Sequence, residues 1–348
     1  MKARVNVMEK KKRRSGLSID LDERDLQELF EPFDPSKVIL KNFKPKPPKP
    51  KVKLPIVLAH GMARPDYLID SIFKTLNLSL YDFSLVSDRF HYFKGIASYL
   101  KKHGFEVYHS SVSFAADVAT RARDLRREIE KILKKTGHKK VHIIAHSMGG
   151  LDARHMIVNE NMANKVATLS TIGTPHWGTS VADAALEQGI DKVIGVFRKI
   201  INLEGIKSVT TAVCKEFNVF AEPLEAGNEV IYQTYYSSQR HESTFLPFQI
   251  SWQILNEREG PNDGLVSVKS QKWTKKLLGN GASKKIAQYE FPFAADHMDQ
   301  IGWWNLNEIH KAGWWNMKAL REKNHHEEII KNVYLKIARD VHNMKVKV

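Results

Sequence analysis

A single cysteine, Cys214, stands in 348 residues. It cannot close an intramolecular disulfide, and it rules out structural zinc sites built on cysteine. A reducing compartment is the expected home, although a secreted protein without disulfides carries the same signature. No run approaches the ~18 apolar residues of a membrane span. Neither a G-x-G-x-x-G nor a Walker pattern occurs, and no internal repeat, so nucleotide chemistry has no foothold. Acids are few beside bases, 39 against 54, for a formal net charge of +15. Residues 1–53 hold 15 of those bases and 8 acids, a net of +7, and the remaining chain carries only +8. The charge is concentrated in an arm, without a basic stripe on the body, and no nucleic-acid partner is expected.

What is present describes a globular chain: 42% hydrophobic, 27% charged, with a mean hydropathy of −0.39. Residues 1–16 lack an apolar core of signal-peptide length, so Sec export is not expected. The cluster Lys10 to Arg14 reads as a solvated terminus, a membrane-surface patch or an address, a mitochondrial one included. Residues 18–33 have the pattern of a short helix, and the Pro/Lys tract Phe43–Lys53 reads as an extended linker. The expected division is therefore an arm over 1–53 and a body over 54–348.

The body alternates strands and helices. Ile56–His60 is a short apolar run ended by Gly61, and a helix is expected near Phe90–Lys102 before a strand at Phe105–Val112. From Asp117 to Thr136 the apolar positions Val118, Ala122, Leu125, Ile129, Ile132 and Leu133 advance by helical steps, and Gly137 supplies a stop. Val141–Ala145 and Val166–Gly173 read as buried strands. Repeated alternation of this kind predicts an α/β fold, a mostly parallel sheet with helices on both faces.

Between the last two strands stands Ala145-His146-Ser147-Met148-Gly149. A buried strand runs directly into a small-x-Ser-x-Gly turn and a helix, the setting of a nucleophile elbow. Small residues two positions either side of the serine allow neighbouring backbone to approach. Ser147 is the candidate nucleophile, and its alternative is an ordinary helix cap. His146 points away along such a turn and reads as a packing residue. A serine needs a base and two donors for the oxyanion of its tetrahedral intermediate. The backbone N–H of Met148 is one candidate donor, and that of Met62, in the loop after the first strand, is the other.

In hydrolases built on this elbow, the acid and then the base follow the nucleophile in the chain. Pro261-Asn262-Asp263-Gly264 sets Asp263 in a tight turn, suited to a rigid acid. Asp183, Asp191 and Glu204 fall on a helical stretch and read as solvated. Lys285–Phe291 reads as a strand, and His297 follows it in a loop, where a base belongs. His310, His325 and His326 read as surface residues.

With His60-Gly61, AHSMGGLDAR, GTPHWGTS, PNDGLVSVKSQKW and DHMDQIGW on the page, the chain resembles the triacylglycerol lipases over roughly residues 54–345. The likeness is to a fungal mitochondrial lipase and, more distantly, to secreted bacterial lipases. It implies an α/β-hydrolase fold, Ser147, Asp263 and His297 as nucleophile, acid and base, Met62 and Met148 as the oxyanion hole, and a lipid ester as substrate. Secreted relatives hold calcium near the histidine through two aspartates. Asp299 matches one, but the other position falls on His241, a poor ligand for this hard ion. Asp299 is thus the single, weak calcium candidate, and no metal or organic cofactor is expected.

An insertion at about 178–227 is the candidate lid. Leu186, Ile190, Val193, Ile194, Phe197, Ile200 and Ile201 form one apolar stripe at helical spacing. It would open on an oil surface or else simply cap the core. Trp177 is expected at the acyl pocket or its rim. The pairs Trp303-Trp304 and Trp314-Trp315 offer seats at an interface, with at least one of each pair expected in the core.

The expected activity is serine ester hydrolysis of triacylglycerol-like lipids at a peripheral lipid or membrane interface, inside the cell. A transacylase, phospholipase or thioesterase would use the same triad. A non-catalytic membrane-binding relative would have no reason to keep it. Because the arm is basic and separated by a linker, it is expected to add surface affinity without touching chemistry. Deleting residues 1–50 should leave turnover of a short soluble ester within about twofold, roughly 0.4 kcal/mol in barrier. The same deletion should weaken binding to anionic vesicles, and loss of short-ester activity would show the arm to be part of the body.

Overall fold

In a computed structural model of the protein, the residues described are 53–62, 92–113, 116–189, 203–279, 281–303 and 317–346. The chain divides into two units, Met1–Lys51 and Val52–Val348, and all described residues belong to the second. From β1 (Ile56–Ala59) the chain runs through α1 (Ile96–Lys102), β2 (Val107–His109), α2 (Val118–Thr136), β3 (Val141–His146), α3 (Met148–Asn159) and β4 (Val166–Ile172). Three helices, α4 (Ser180–Gln188), α5 (Leu203–Ser208) and α6 (Thr211–Gly227), precede β5 (Ile231–Tyr236). Then come α7 (Gln249–Arg258), α8 (Val268–Lys272), β6 (Lys276–Gly279), β7 (Ala282–Lys285), β8 (Ala287–Glu290) and α9 (Met317–Asn343).

Six strands form one sheet in the order β2-β1-β3-β4-β5-β8, every pairing parallel. Strands β1, β3 and β4 are buried along their whole length, which is why they read as unbroken apolar runs. Their side chains alternate between two clusters, one for each face. Ile56, Leu58 and Ile144 join Ile96, Leu100, Tyr334 and Ile337 from α1 and α9. Val57, Ala59, Ile143 and Ala145 join Leu125, Ile129, Ala153 and Met156 from α2 and α3. Helix α2 begins where Asp117 accepts the N–H of Thr120 at 2.9 Å and ends at Gly137. The α/β-hydrolase architecture expected from the sequence is the one observed.

Several local expectations are corrected. Helix α1 starts at Ile96, after a left-handed Gly95; Phe90 lies outside the described residues. The strand read at Phe105–Val112 keeps strand geometry only at Val107–His109, although single bonds to β1 continue at Glu106 and Ser110. The strand read at Lys285–Phe291 is two strands. Ile286 is buried and bonds to Lys275, and there the chain leaves its hairpin partner β6 and joins β5 as β8. The apolar stripe from Leu186 does not run on as one helix, because α4 ends at Gln188 with Gly189 at φ 94°. Ile190 and Phe197, like Trp304, Trp314, Trp315 and His310, lie outside the described residues. Asp183 is not merely solvated: its carboxylate accepts the N–H of Thr211 at 3.0 Å and caps α6.

Besides His297, the histidines His60, His142, His146 and His176 are buried in this framework. Burial pushes His60 and His142 down to about 3, and His146 and His176 well below the ordinary imidazole value. Each is neutral in the fold and takes a proton on unfolding below about pH 6.5, so stability is lost as pH falls through that window. Two carboxylates oppose this. Burial raises Asp152 and Asp296 to about 6, so the fold holds their protons where the unfolded chain releases them. His155, also pushed down to about 3, and His342 act in the same direction, so imidazoles outnumber the two carboxylates and unfolding takes up protons on balance. The urea midpoint should therefore fall steadily between pH 6.5 and 4.5; a constant midpoint would mean that these imidazoles are charged in the fold.

Candidate active site

Strand β3 passes into α3 through one residue. Ser147 stands at φ 56°, ψ −134°, a backbone geometry that costs a side-chain-bearing residue about 1–3 kcal/mol. Its N–H donates to the Ile172 carbonyl and its own carbonyl accepts from Thr174 Oγ1, both at 2.9 Å. Gly149 is required by close approach, since a Cβ there would stand 2.5 Å from the Ala59 carbonyl oxygen and 2.6 Å from that of His60.

Asp263 is fully buried in its Asn-Asp-Gly turn. Its Oδ1 accepts the N–H groups of Leu265 at 3.0 Å and Val266 at 2.8 Å, the local bonding for which an aspartate suits a turn. The main-chain N–H of His297 donates to the Asp263 carbonyl at 2.9 Å, locking base and acid together by backbone. The side chains follow: His297 Nδ1 lies 2.8 Å from Asp263 Oδ2, and His297 Nε2 lies 2.9 Å from Ser147 Oγ. A carboxylate can only accept, so Nδ1 carries the proton and Nε2 is left to accept from the serine.

Ser147 opens onto an apolar pocket. Met62 and Met148 line it with Ser147, and Val181, Ile206 and Leu265 give it an apolar wall. Trp177 does not line it. That indole is 38% exposed and its N–H donates to the Trp273 carbonyl, a correction to the expected pocket role. Leu186 is also outside the lining, 44% exposed on α4.

Asp299 lies two residues past His297, but its Oδ2 accepts the N–H of Asp296. His241 packs edge-on against Trp252. Among the described residues no group of three His, Cys, Asp or Glu is arranged to hold a metal ion. Asp299 is the one carboxylate of the expected pair, and an imidazole at the other position, His241, is a poor ligand for calcium.

Some supporting residues escaped the sequence reading. Arg121 on α2 and Asp152 on α3 form an ion pair at 2.7 Å, both side chains almost fully buried. The same guanidinium donates to the carbonyls of His60 at 2.9 Å and Gly61 at 3.2 Å, fixing the chain just before Met62. A signal existed, because Arg121 falls inside the apolar face of α2, three residues after Val118. Gln300, bonded to Asp263, and Tyr92, bonded to His146, left no signal of their own.

Among known proteins, the PGAP1-like alpha/beta domain matches residues 114–215, which span α2 to the start of α6. Triacylglycerol lipase 2 of Saccharomyces cerevisiae is 31% identical over 331 residues, covering 85% of this chain and 92% of its own length. The chain belongs to the triacylglycerol lipase family. A triacylglycerol lipase of Pseudarthrobacter phenanthrenivorans is 35% identical over 134 residues, 38% of this chain and 36% of its own. The crystal structure of Staphylococcus hyicus lipase superposes with a TM-score of 0.51 at 18% identity, covering 85% of this chain and 99% of that one, a likeness of fold. As a member of this family the protein is a carboxylic ester hydrolase acting on lipid esters.

The Arg121–Asp152 pair gives a stability test. Asp152→Asn leaves a buried guanidinium without its counter-charge and should cost about 3–5 kcal/mol. Urea unfolding at pH 7.5 reads this directly, and an unchanged midpoint would show that the pair does not anchor α2 to α3.

Proposed function

We propose that the protein cleaves triacylglycerol-like esters through an acyl-enzyme, with Ser147 as nucleophile, His297 as base and Asp263 as acid. The observation that carries this reading is the hydrogen-bonded line from Ser147 Oγ through His297 to Asp263, at 2.9 and 2.8 Å, opening on an apolar cavity. Ser147 Oγ attacks the ester carbonyl as His297 Nε2 takes its proton. Asp263 stabilises the imidazolium and keeps Nδ1 protonated. The N–H groups of Met62 and Met148 hold the oxyanion, and His297 returns the proton to the leaving alcohol. Water, activated by the same imidazole, then releases the fatty acid and regenerates the serine.

The substrate is met at a lipid surface. On α6, Val213, Phe220 and Leu224 share one side of the helix and are 44%, 55% and 43% exposed. Leu278 of β6 is 54% exposed as well. Such residues suit the headgroup boundary of a lipid layer. No helix of the described residues is long and apolar enough to cross a membrane, and the contact proposed is peripheral.

Ser147→Ala should lower kcat on a short soluble ester by on the order of 10⁶ with the fold intact. A fluorophosphonate should label Ser147 in the unsubstituted protein. Persistent activity in the variant, or labelling of another serine, would overturn the assignment.

A further inference from the structure

Behind Asp263 lies a buried polar chain that the proposed reaction does not use. Gln300 sits in a short turn, Asp299–Ile301, and is fully buried. Its Nε2 is 2.9 Å from Asp263 Oδ2 and 2.8 Å from Ser237 Oγ. Its Oε1 is 2.9 Å from His146 Nε2, and His146 Nδ1 is 2.7 Å from the Tyr92 hydroxyl. Tyr92 in turn packs on the loop before Met62. A Cβ at Gly61 would meet Tyr92 Oη at 2.6 Å and Ser147 Cβ at 2.7 Å.

The proton positions along this chain follow from one charge. The Asp263 carboxylate only accepts, so the amide nitrogen of Gln300 must face it. Its two hydrogens then serve Asp263 and Ser237, and the Ser237 hydroxyl donates onward to the Ala295 carbonyl at 2.8 Å. The amide oxygen is thereby turned to His146, which must carry its proton on Nε2. Nδ1 is left bare, and Tyr92 donates to it. Every donor has an acceptor in this one arrangement, and any reversal sets two like groups face to face. Neutrality of His146 is part of it. The ring lies 4.5 Å from that of His297, and burial followed by that neighbour holds its pKa well below the ordinary value.

We infer that Gln300, His146 and Tyr92 are positioning residues that join the acid to the oxyanion loop, so that the line of Asp263 on His297 and the seat of Gly61 against Ser147 are set by a single network. The inference rests on the triad reading above. Oδ1 of Asp263 is held by two backbone N–H groups, whereas Oδ2, the oxygen that meets His297, has Gln300 as its other partner. Without that partner the carboxylate can rotate off the imidazole. Without the Tyr92 hydroxyl, His146 loses the donor that fixes its tautomer, and Gly61 loses the atom it packs on.

Tyr92→Phe removes one oxygen and keeps the ring on Phe93. On a short soluble ester it should lower kcat by about tenfold, the scale of one unsatisfied buried polar group, with KM within about twofold. Gln300→Leu should lower kcat further at unchanged KM. Gln300→Glu, which when protonated can still donate to Asp263 and accept from His146, should exceed Gln300→Leu at pH 6 and lose that advantage by pH 8. Wild-type kcat in Tyr92→Phe, or a rise in KM alone, overturns the inference. So does a Gln300→Glu variant no better than Gln300→Leu at pH 6. If Gln300→Leu fails to fold, the kcat and KM of Tyr92→Phe decide. Fluorophosphonate labelling of the unsubstituted protein keeps the two readings apart. Failure to label Ser147 sinks the triad itself, whereas normal labelling with wild-type kinetics in Tyr92→Phe sinks only the network.

Discussion

At Ser147 the chain leaves a buried strand and enters a helix within one residue, at a backbone geometry that has to be enforced from outside. The surroundings do so from both sides. Strand β4 takes the serine N–H at Ile172, Thr174 binds its carbonyl, and β1 delivers the carbonyls of Ala59 and His60 against Gly149. The register of the three central strands is thus coupled to one strained turn. Strain of this kind persists only where packing over-determines it, and β1, β3 and β4 are the most completely buried strands of the sheet. The stability of the sheet interior is what keeps the hydroxyl presented to the cavity.

Buried charge is used with the same economy. Arg121 pairs with Asp152 and reaches the His60 and Gly61 carbonyls, so the loop bearing Met62 is held from below by α2 and α3. Further along α3, Arg154 pairs with Glu225 of α6 at 2.8 Å, both side chains fully buried, while its guanidinium lies 3.9 Å from the centre of the Trp273 ring. His176 stacks on the same Trp273 ring at 4.5 Å. Two arginines on neighbouring faces of one helical pair therefore fix what lies before and after the serine. Breaking such a pair is costly because it leaves a buried ion uncompensated, and that cost makes both contacts all-or-none.

The turn at Ser147 and the hydrogen-bonded positions of Asp263 and His297 were legible in the sequence because each depends on local chemistry. Small residues flank Ser147, an Asx turn needs the aspartate of Pro261-Asn262-Asp263-Gly264, and the loop at His297 follows a run of strand formers. The fold class was legible for a similar reason, since fully buried parallel strands leave apolar runs that no alternation interrupts. What was hidden depends on distant partners. Strand β8 is separated from β7 by the burial of Ile286, a tertiary choice without local mark. The break at Gly189 falls inside a stripe whose helical spacing continues past it. Trp177, expected at the acyl pocket or its rim, donates its indole N–H to the Trp273 carbonyl. Gln300 and Tyr92 carry nothing in their own neighbourhoods that distinguishes them from packing residues.

The cavity and the polar network meet at one wall, and their opposite needs explain the division of labour between the two methionines and the residues behind them. On the cavity side, Met62, Met148, Val181 and Ile206 exclude water from the reacting atoms, and flexible thioethers adapt to an acyl chain without offering it a hydrogen bond. In the proposed reaction the backbone N–H groups of Met62 and Met148 face the developing oxyanion there. On the other side, each polar atom that orients Asp263 must be satisfied without water, because a low dielectric magnifies the cost of any vacancy. Ser147 is the single group with a place in both environments, its backbone in the strained wall and its hydroxyl between His297 and the apolar space. If Ser147 is the nucleophile, as proposed, the same desolvation that admits a lipid strengthens the hydrogen bonds that would activate it.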